Sequence, residues 1–166
     1  MLNTELRIRT GLSYGASSHF DRLVQPGPWA LSSFTQTDTT IQALDLALAT
    51  LDRLHESGFD PTMLESGKSY VQGQFPVALE TSGQWAAQLA TLEFYGLDRR
   101  YIDDYSAQLA AVTPADAKRV IDEVFPASTA LAIVVVGNAS AIREGLRKYG
   151  PITEMKLADP VFEPKN

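Results

Sequence analysis

The opening stretch of the chain, residues 2–15, constrains the fold more than any other, because its periodicity changes across a single glycine. Leu2 and Leu6 are four residues apart and therefore share one face of a helix. Gly11 can adopt the left-handed conformation that commonly ends a helix. From Leu12 onward, larger and small residues alternate with the period of a strand. The stretch therefore predicts a helix end, a tight turn and the start of a strand.

Two side chains that can bind a ligand lie on either side of this predicted turn. Arg7 precedes the glycine and Tyr14 follows it. A guanidinium and a phenol can both donate hydrogen bonds to a carbonyl or a carboxylate. Spacing alone also fits a surface ion pair for Arg7 and a half-buried strand aromatic for Tyr14. That structural interpretation is the commoner one for residues chosen on spacing.

A β-hairpin is predicted to follow. Strands are expected over about residues 12–24 and 29–36, and proline and glycine in the segment between them, Gln25-Pro26-Gly27-Pro28, favour a turn. The serines and threonines of these strands suit a sheet with one less tightly buried face.

The middle of the chain is predicted to be helical. Apolar residues three and four apart define its longest helix, which Gly58 should end. Asp60 and Thr113 each precede a proline, so each is expected to cap a helix that has proline at its first position. Gly96 should end another helix. The predicted helices cover residues 40–57, 61–79, 82–95, 99–111, 114–125 and 140–149.

Two further strands are predicted near the end of the chain. Residues 129–136 are apolar and rich in β-branched side chains, which is typical of a buried central strand. Residues 152–157 could form an edge strand, and Pro160 and Pro164 indicate a fraying end. Strand clusters separated by a block of helices indicate an α+β fold, in which an antiparallel or mixed sheet has helices packed on one face. A single domain is expected over residues 1–166.

Composition excludes several classes of function. Fourteen basic and twenty acidic residues give a net charge of -6, which argues against a nucleic-acid partner. The chain has no cysteine, so disulfides and thiolate metal ligands are impossible. No stretch approaches the ~20 apolar residues that cross a membrane.

The sequence contains no complete motif for binding a metal or a phosphate. The chain has two histidines, His19 and His55. The sequence from His55 to Phe59 begins like H-E-x-x-H but lacks the second histidine, and Gly58 breaks the helix. Gly67-Lys68-Ser69 ends like a phosphate loop, but Thr62 stands where that loop needs its first glycine. We therefore expect no catalytic residue, no metal ligand and no cofactor in this chain.

Several short motifs, taken in order, resemble one family. Leu-Asn-x-Glu-Leu-Arg at residues 2–7 and Gly-Leu-Ser-Tyr-Gly at residues 11–15 are similar to the C-terminal, non-zinc-binding domain of the pitrilysin/insulinase-like zinc metallopeptidases, which include the processing peptidases. The similarity continues at Val112–Asp116 and Val134–Asn138. It covers nearly the whole chain.

The resemblance implies roles for Arg7 and Tyr14. In that family, zinc is held by H-x-x-E-H in another domain, and an Arg–Tyr pair at this place faces it across a closed chamber and helps to hold the peptide. The family therefore implies substrate binding by Arg7 and Tyr14, and zinc in a partner domain in cis or in trans. It also implies that a strand and most of a helix precede this chain in a longer protein. The bacterial periplasm is the first candidate compartment for that parent.

Two functions remain open at this stage. The chain is either the substrate-binding part of a zinc-dependent peptidase or an interaction domain that retains only the peptidase fold. The presence of both Arg7 and Tyr14 favours the first, and an H-x-x-E-H motif upstream or in a neighbouring gene would distinguish them. An exposed sheet edge at the hairpin or at the Ile152 tail is also expected to pair with a second copy of the chain.

Overall fold

The computed structural model describes residues 1–158 and divides into two compact units, of which the second is mainly helical. The first unit is formed by Met1–Phe20, Pro28–Asp52 and the residues from Pro126 onward; the second is formed by Asp21–Gly27 and Arg53–Phe125. The prediction of a single domain over the whole chain remains a prediction.

The fold is α+β, as predicted, with far more helix than strand. Its strands are β1 (Ala16–Phe20) and β2 (Trp29–Ser33). Its helices are α1 (Thr40–Ser57), α2 (Pro61–Val77), α3 (Ser82–Tyr95), α4 (Arg100–Asp103), α5 (Tyr105–Ala111), α6 (Pro114–Val124) and α7 (Ala139–Leu146). A π-helical turn covers Thr4–Arg9, and 3₁₀ turns cover Thr37–Thr39, Ser128–Ala130 and Arg147–Tyr149. No helix in residues 1–158 is both long and apolar enough to cross a membrane.

The predicted hairpin is present, but its strands are shorter than predicted. β1 and β2 pair antiparallel from Ala16 opposite Ser33 to Phe20 opposite Trp29. The strand prediction was wrong for residues 12–15, where side chains take the place of a partner strand. Thr35 Oγ1, for example, donates to the carbonyl of Leu12 at 2.6 Å. Side chains that bond to nearby backbone in this way compete with ladder formation.

The core of the first unit lies between the hairpin and one face of α1. Leu6 is fully buried at 0% exposure and packs in one cluster with Ala16 of β1 and with Ala43 and Ala47 of α1. Partly buried leucines surround this cluster: Leu2, Leu12, Leu31 and Leu46. The α1 side of this cluster is formed by the small side chains of Ala43 and Ala47 together with Leu46.

Lys148 and Tyr149, in the 3₁₀ turn that follows α7, bind to a side chain of α1. Lys148 Nζ lies 2.6 Å from Asp45 Oδ2, and the Tyr149 hydroxyl donates to Asp45 Oδ1 at 2.8 Å. The hydrogen bond from Lys148 lowers the pKa of the Asp45 carboxyl, and the same contact raises the pKa of Lys148. Gly145 lets α7 lie close to α1, since a Cβ at this position would be 2.5 Å from Ile41 Cγ1.

The second unit is built from helices with few buried side chains. Leu54, Leu92, Ile102 and Ile121 are buried in it. Phe75 of α2 and Tyr105 of α5 stack with ring centroids 3.9 Å apart. Lys68 Nζ donates to the carbonyls of Ala110 and Val112, which lie at the end of α5 where helical carbonyls lack partners.

The helix ends confirm the predicted start and stop signals. Gly58 and Gly96 have φ of +66° and +64°, the left-handed conformation that glycine adopts without strain. Asp60 Oδ1 accepts from the amide of Thr62 at 2.8 Å. Thr113 and Asp116 form a reciprocal capping box, and the hydrogen bonds from Thr113 lower the pKa of the Asp116 carboxyl.

One predicted helix is interrupted. Residues 99–111 form α4 and α5 with a break at Asp104, whose φ of -96° and ψ of 0° lie outside the helical range. α1 and α3 have the predicted bounds, and the other helices differ from the predictions by up to three residues at an end, as frayed ends commonly do.

The predicted central strand at residues 129–136 is wrong. Ser128–Ala130 form a 3₁₀ turn, and residues 131–136 then run without strand pairing. Val134 and Val136 are 86% and 70% exposed. The β-branched sequence favours an extended backbone, but a strand also needs a hydrogen-bonded neighbour, and the sheet of residues 1–158 contains only β1 and β2. Residues 152–157 likewise form no strand, and Pro160 and Pro164 lie outside the described residues.

We predict that Leu6→Ala destabilises the first unit by about 2–5 kcal/mol, because it removes a fully buried side chain and leaves a cavity. Ile8→Ala is the matched control: Ile8 lies two positions further on but is 74% exposed, so its truncation should change stability by less than about 0.5 kcal/mol. Urea unfolding of both variants measures the difference. Equal midpoints for the two variants would contradict the anchoring role of Leu6.

Candidate functional site

The π-helical turn Thr4–Arg9 places Arg7 at the surface of the first unit. Leu6 points into the core, whereas Arg7, the next residue, is exposed. A π-helical turn is rare and is frequently found at functional sites. Burial of Leu6 therefore fixes the backbone from which Arg7 projects.

Backbone and side-chain hydrogen bonds close the turn after Arg7. Gly11 has φ of +64°, and its amide donates to the carbonyl of Arg7 at 3.2 Å. The amide of Ser13 donates to the carbonyl of Leu6 at 3.0 Å. Thr10 Oγ1 donates to the carbonyl of Glu5 at 2.8 Å. The predicted glycine turn is thus present, and it brings residue 13 back beside residue 6.

A second set of hydrogen bonds fixes the backbone on both sides of Tyr14. The Ser13 side chain is buried and bonds to both the amide and the carbonyl of Gly15, at 3.1 and 2.7 Å. Ser33 Oγ of β2 donates to Ser13 Oγ at 2.9 Å. Asn3 Oδ1 accepts from the amide of Ala16 at 2.9 Å. Tyr14 therefore projects from a backbone that the hairpin and the π-helical turn both hold.

These contacts bring the two predicted site residues together. The Arg7 guanidinium carbon lies 4.8 Å from the centroid of the Tyr14 ring, within the range of a cation–π interaction. Tyr14 is 76% exposed. Within residues 1–158, the Arg7 side chain and the Tyr14 hydroxyl make no recorded hydrogen bond or ion pair, so their donors face solvent. Arg9 differs, because its guanidinium pairs with Glu5 at 3.1 Å.

The sequence did not reveal the residues that position this pair. Asn3, Ser13 and Ser33 bond to backbone or to one another across 13 to 20 residues of sequence. Serine and asparagine beside a predicted glycine turn are a general signal for such side-chain-to-backbone bonds. Their partners, however, depend on the pairing register of the hairpin, which the sequence did not specify.

The histidines and carboxylates among residues 1–158 do not fit a zinc centre. His19 lies on β1, and His55 lies in the last turn of α1. Across residues 1–158, no group of three or more histidine, aspartate or glutamate side chains converges so that it could hold a metal ion. The side chains of Arg7 and Tyr14 carry hydrogen-bond donors, and such donors can bind carbonyl or carboxylate oxygens.

The sequence of this chain is similar to sequences of known peptidase-family proteins. Residues 1–71 match the family model described as the peptidase M16 inactive domain. An uncharacterized zinc protease of Streptomyces coelicolor is 22% identical over 130 residues, which are 78% of this chain and 28% of that protein.

Two solved structures share the fold. The peptidase M16 inactive domain from Pseudomonas fluorescens superimposes with a TM-score of 0.70 at 22% identity, over 76% of this chain and 30% of that chain. A protease from Helicobacter pylori superimposes with a TM-score of 0.66 at 23% identity, over 76% of this chain and 31% of that chain.

The family match covers the first 71 residues, and the similarity of fold extends over 76% of the chain. These comparisons support the resemblance predicted from the sequence, since residues 1–71 are similar to the peptidase M16 inactive domain and the chain shares the fold of two solved chains. It spans less than a third of the length of the curated relative and of both solved chains.

We predict that the purified chain binds no stoichiometric zinc, because its described histidines and carboxylates do not converge. The measurement is metal analysis after chelation, reloading with zinc and removal of unbound metal. Zinc retained at one equivalent would contradict the prediction, and a His55→Ala variant that loses it would then identify the ligand.

Proposed function

We propose that this chain is the substrate-binding, non-catalytic domain of a zinc-dependent peptidase. In this proposal it completes a peptide chamber opposite a zinc-bearing domain, which is supplied in cis or in trans. The observation that carries the proposal is the Arg7–Tyr14 pair: the two side chains are in contact, rigidly based and open to solvent. The zinc protease among its relatives supports zinc as the metal of the parent protein.

The pair can position a peptide without transferring a proton. Arg7 offers a planar fork of N–H donors to a backbone carbonyl or a carboxylate, and Tyr14 offers one hydroxyl donor beside it. Two donors that converge on one substrate orient the scissile peptide and stabilise charge on its oxygen. The described residues contain no metal site of their own, so the metal chemistry belongs to the partner domain.

Arg7→Ala and Tyr14→Phe should each lower the turnover of the assembled enzyme. Loss of one preorganised donor in a site that excludes water typically costs about 10²–10³ in rate. Both side chains are exposed, so neither change should lower the melting temperature appreciably. The measurement is kcat and KM for the parent enzyme reconstituted with each variant, beside a melting curve of the variant chain.

The chain offers a matched control for each substitution. Arg9→Ala removes an arginine from the same turn, but one that is paired with Glu5. Tyr70→Phe removes a hydroxyl from a tyrosine of α2 that is 69% exposed. Both control variants should retain full turnover. If Arg7→Ala and Tyr14→Phe do so as well, the pair has a structural role and the peptidase proposal fails.

One observation favours a second candidate function, that of an interaction domain which keeps only the peptidase fold. Residues 131–136 are apolar and belong to no helix or strand, and they lie outside the β1–β2 sheet, the one sheet in the described part of the chain. Natural sheets protect such edges with charge, proline or a covering element. Residues 131–136 carry no charged residue and no proline, so backbone pairing with a second copy of the chain is the proposed consequence.

This second proposal predicts self-association at high concentration. Sedimentation velocity should show a dimer or larger species, and Val134→Lys should shift the chain toward monomer, because it places a charge where Val134 is 86% exposed. Val124→Lys is the control, since Val124 is also an exposed valine, at 51%, and lies at the end of α6. A strictly monomeric wild-type chain would exclude pairing through residues 131–136, the hairpin or the Ile152 tail.

A further inference from the structure

The Tyr14 ring lies where it can restrict the motion of Arg7. An exposed arginine ordinarily samples many rotamers, and it loses that freedom when it binds a ligand. The Arg7 guanidinium instead lies over an aromatic face, with 4.8 Å between its central carbon and the ring centroid. The hydrogen bonds of Ser13 and Asn3 hold the backbone on either side of Tyr14, so the ring has a fixed base.

Stacking on an aromatic face restrains a guanidinium without using its N–H donors. A carboxylate partner would occupy those donors, whereas the ring attracts the cation through its electron-rich face. Glu5, the nearest acidic residue in sequence, is bound to Arg9. The arrangement therefore leaves the donor fork of Arg7 oriented and available.

We propose that Tyr14 is a positioning residue for Arg7, and that its aromatic ring, apart from its hydroxyl, preorganises the guanidinium for the planar oxygen group of a bound peptide. This inference rests on the proposed function and deepens it, since it assigns separate tasks to the two parts of one side chain. Tyr14→Phe keeps the ring and removes the hydroxyl, whereas Tyr14→Leu removes both. The two variants therefore separate the tasks.

A measurement on the chain itself tests the contact. Protons that lie over an aromatic face move upfield in an NMR spectrum, so the side-chain protons of Arg7 should be shifted upfield in the wild type and in Tyr14→Phe. They should return to the position of a free arginine in Tyr14→Leu. Tyr70→Leu, a change in an exposed tyrosine of α2, is the control and should leave them in place. An unshifted Arg7 in the wild type overturns the inference, whatever the enzyme's activity.

A double-mutant cycle in the assembled enzyme tests the function of the contact. A cation–π contact at an exposed site corresponds to about a two- to fivefold effect, so kcat/KM should be lower in Tyr14→Leu than in Tyr14→Phe by that factor. In an Arg7→Ala background, the Leu and Phe variants should be equal, because the group that the ring positions is gone. The positioning role is overturned if Tyr14→Leu and Tyr14→Phe have equal kcat/KM when Arg7 is present. It is also overturned if their kcat/KM values differ by the same factor with and without Arg7.

The two assays distinguish failure of this inference from failure of the proposed function. If Arg7→Ala retains full turnover while the upfield shift is present, the peptide-binding function is wrong and the ring contact is structural. If Arg7→Ala loses turnover while Leu and Phe at position 14 are equivalent, the peptide-binding function stands and ring positioning is refuted.

Discussion

Burial of Leu6 is the interaction on which the rest of the first unit depends. One side chain joins three parts of the chain: the π-helical turn that contains it, Ala16 of β1, and Ala43 and Ala47 of α1. Full burial of a leucine contributes about 1.5–3 kcal/mol. The carbonyl of the same residue also accepts the amide of Ser13. Leu6 therefore fixes both the packing of the turn and the return of the chain toward Tyr14.

The contrast between Arg7 and the other cations explains why the site can be exposed without weakening the fold. Arg9, Lys118 and Arg119 each pair with an acid four residues away. Exposed pairs of this kind contribute only about 0.3–0.5 kcal/mol each. Stability comes instead from apolar burial, so the absence of an acidic partner for Arg7 among residues 1–158 costs the fold little. Its binding capacity is thus kept apart from the interactions that hold the unit together.

Local chemistry made the helices predictable. The bounds of α1 and α3, the left-handed glycines after them and the caps at Asp60 and Thr113 all follow from neighbouring residues along the chain. The strands were predicted less well, because a strand depends on a partner that sequence periodicity does not identify. Residues 131–136 have the composition of a buried strand, yet the described part of the chain places no strand beside them.

In the candidate site, too, features that depend on neighbouring residues were predictable and features that depend on distant contacts were not. The turn at Gly11 predicted that Arg7 and Tyr14 would lie near each other, since the turn reverses the chain between them. The stacking of the guanidinium on the ring was not predictable, because it depends on the π-helical turn, on the hydrogen bond that Asn3 accepts and on the one that Ser33 donates. Those bonds exist only once the hairpin register and the packing of Leu6 are set.

Fold similarity at 22–23% identity shows the architecture of this chain, so its function has to be argued from Arg7 and Tyr14. A domain that contributes to a chamber must present its binding groups before the chamber closes. Groups that were satisfied within the domain would have to break those bonds in order to bind a peptide, and the cost would reduce affinity. Under the proposed function, Arg7 and Tyr14 would avoid that cost, because they contact each other through a ring face that leaves their hydrogen-bond donors open. A peptide-binding site needs side chains that are held in place while their hydrogen-bond donors stay unoccupied. A surface ion pair does not provide this, because the acidic partner occupies those donors.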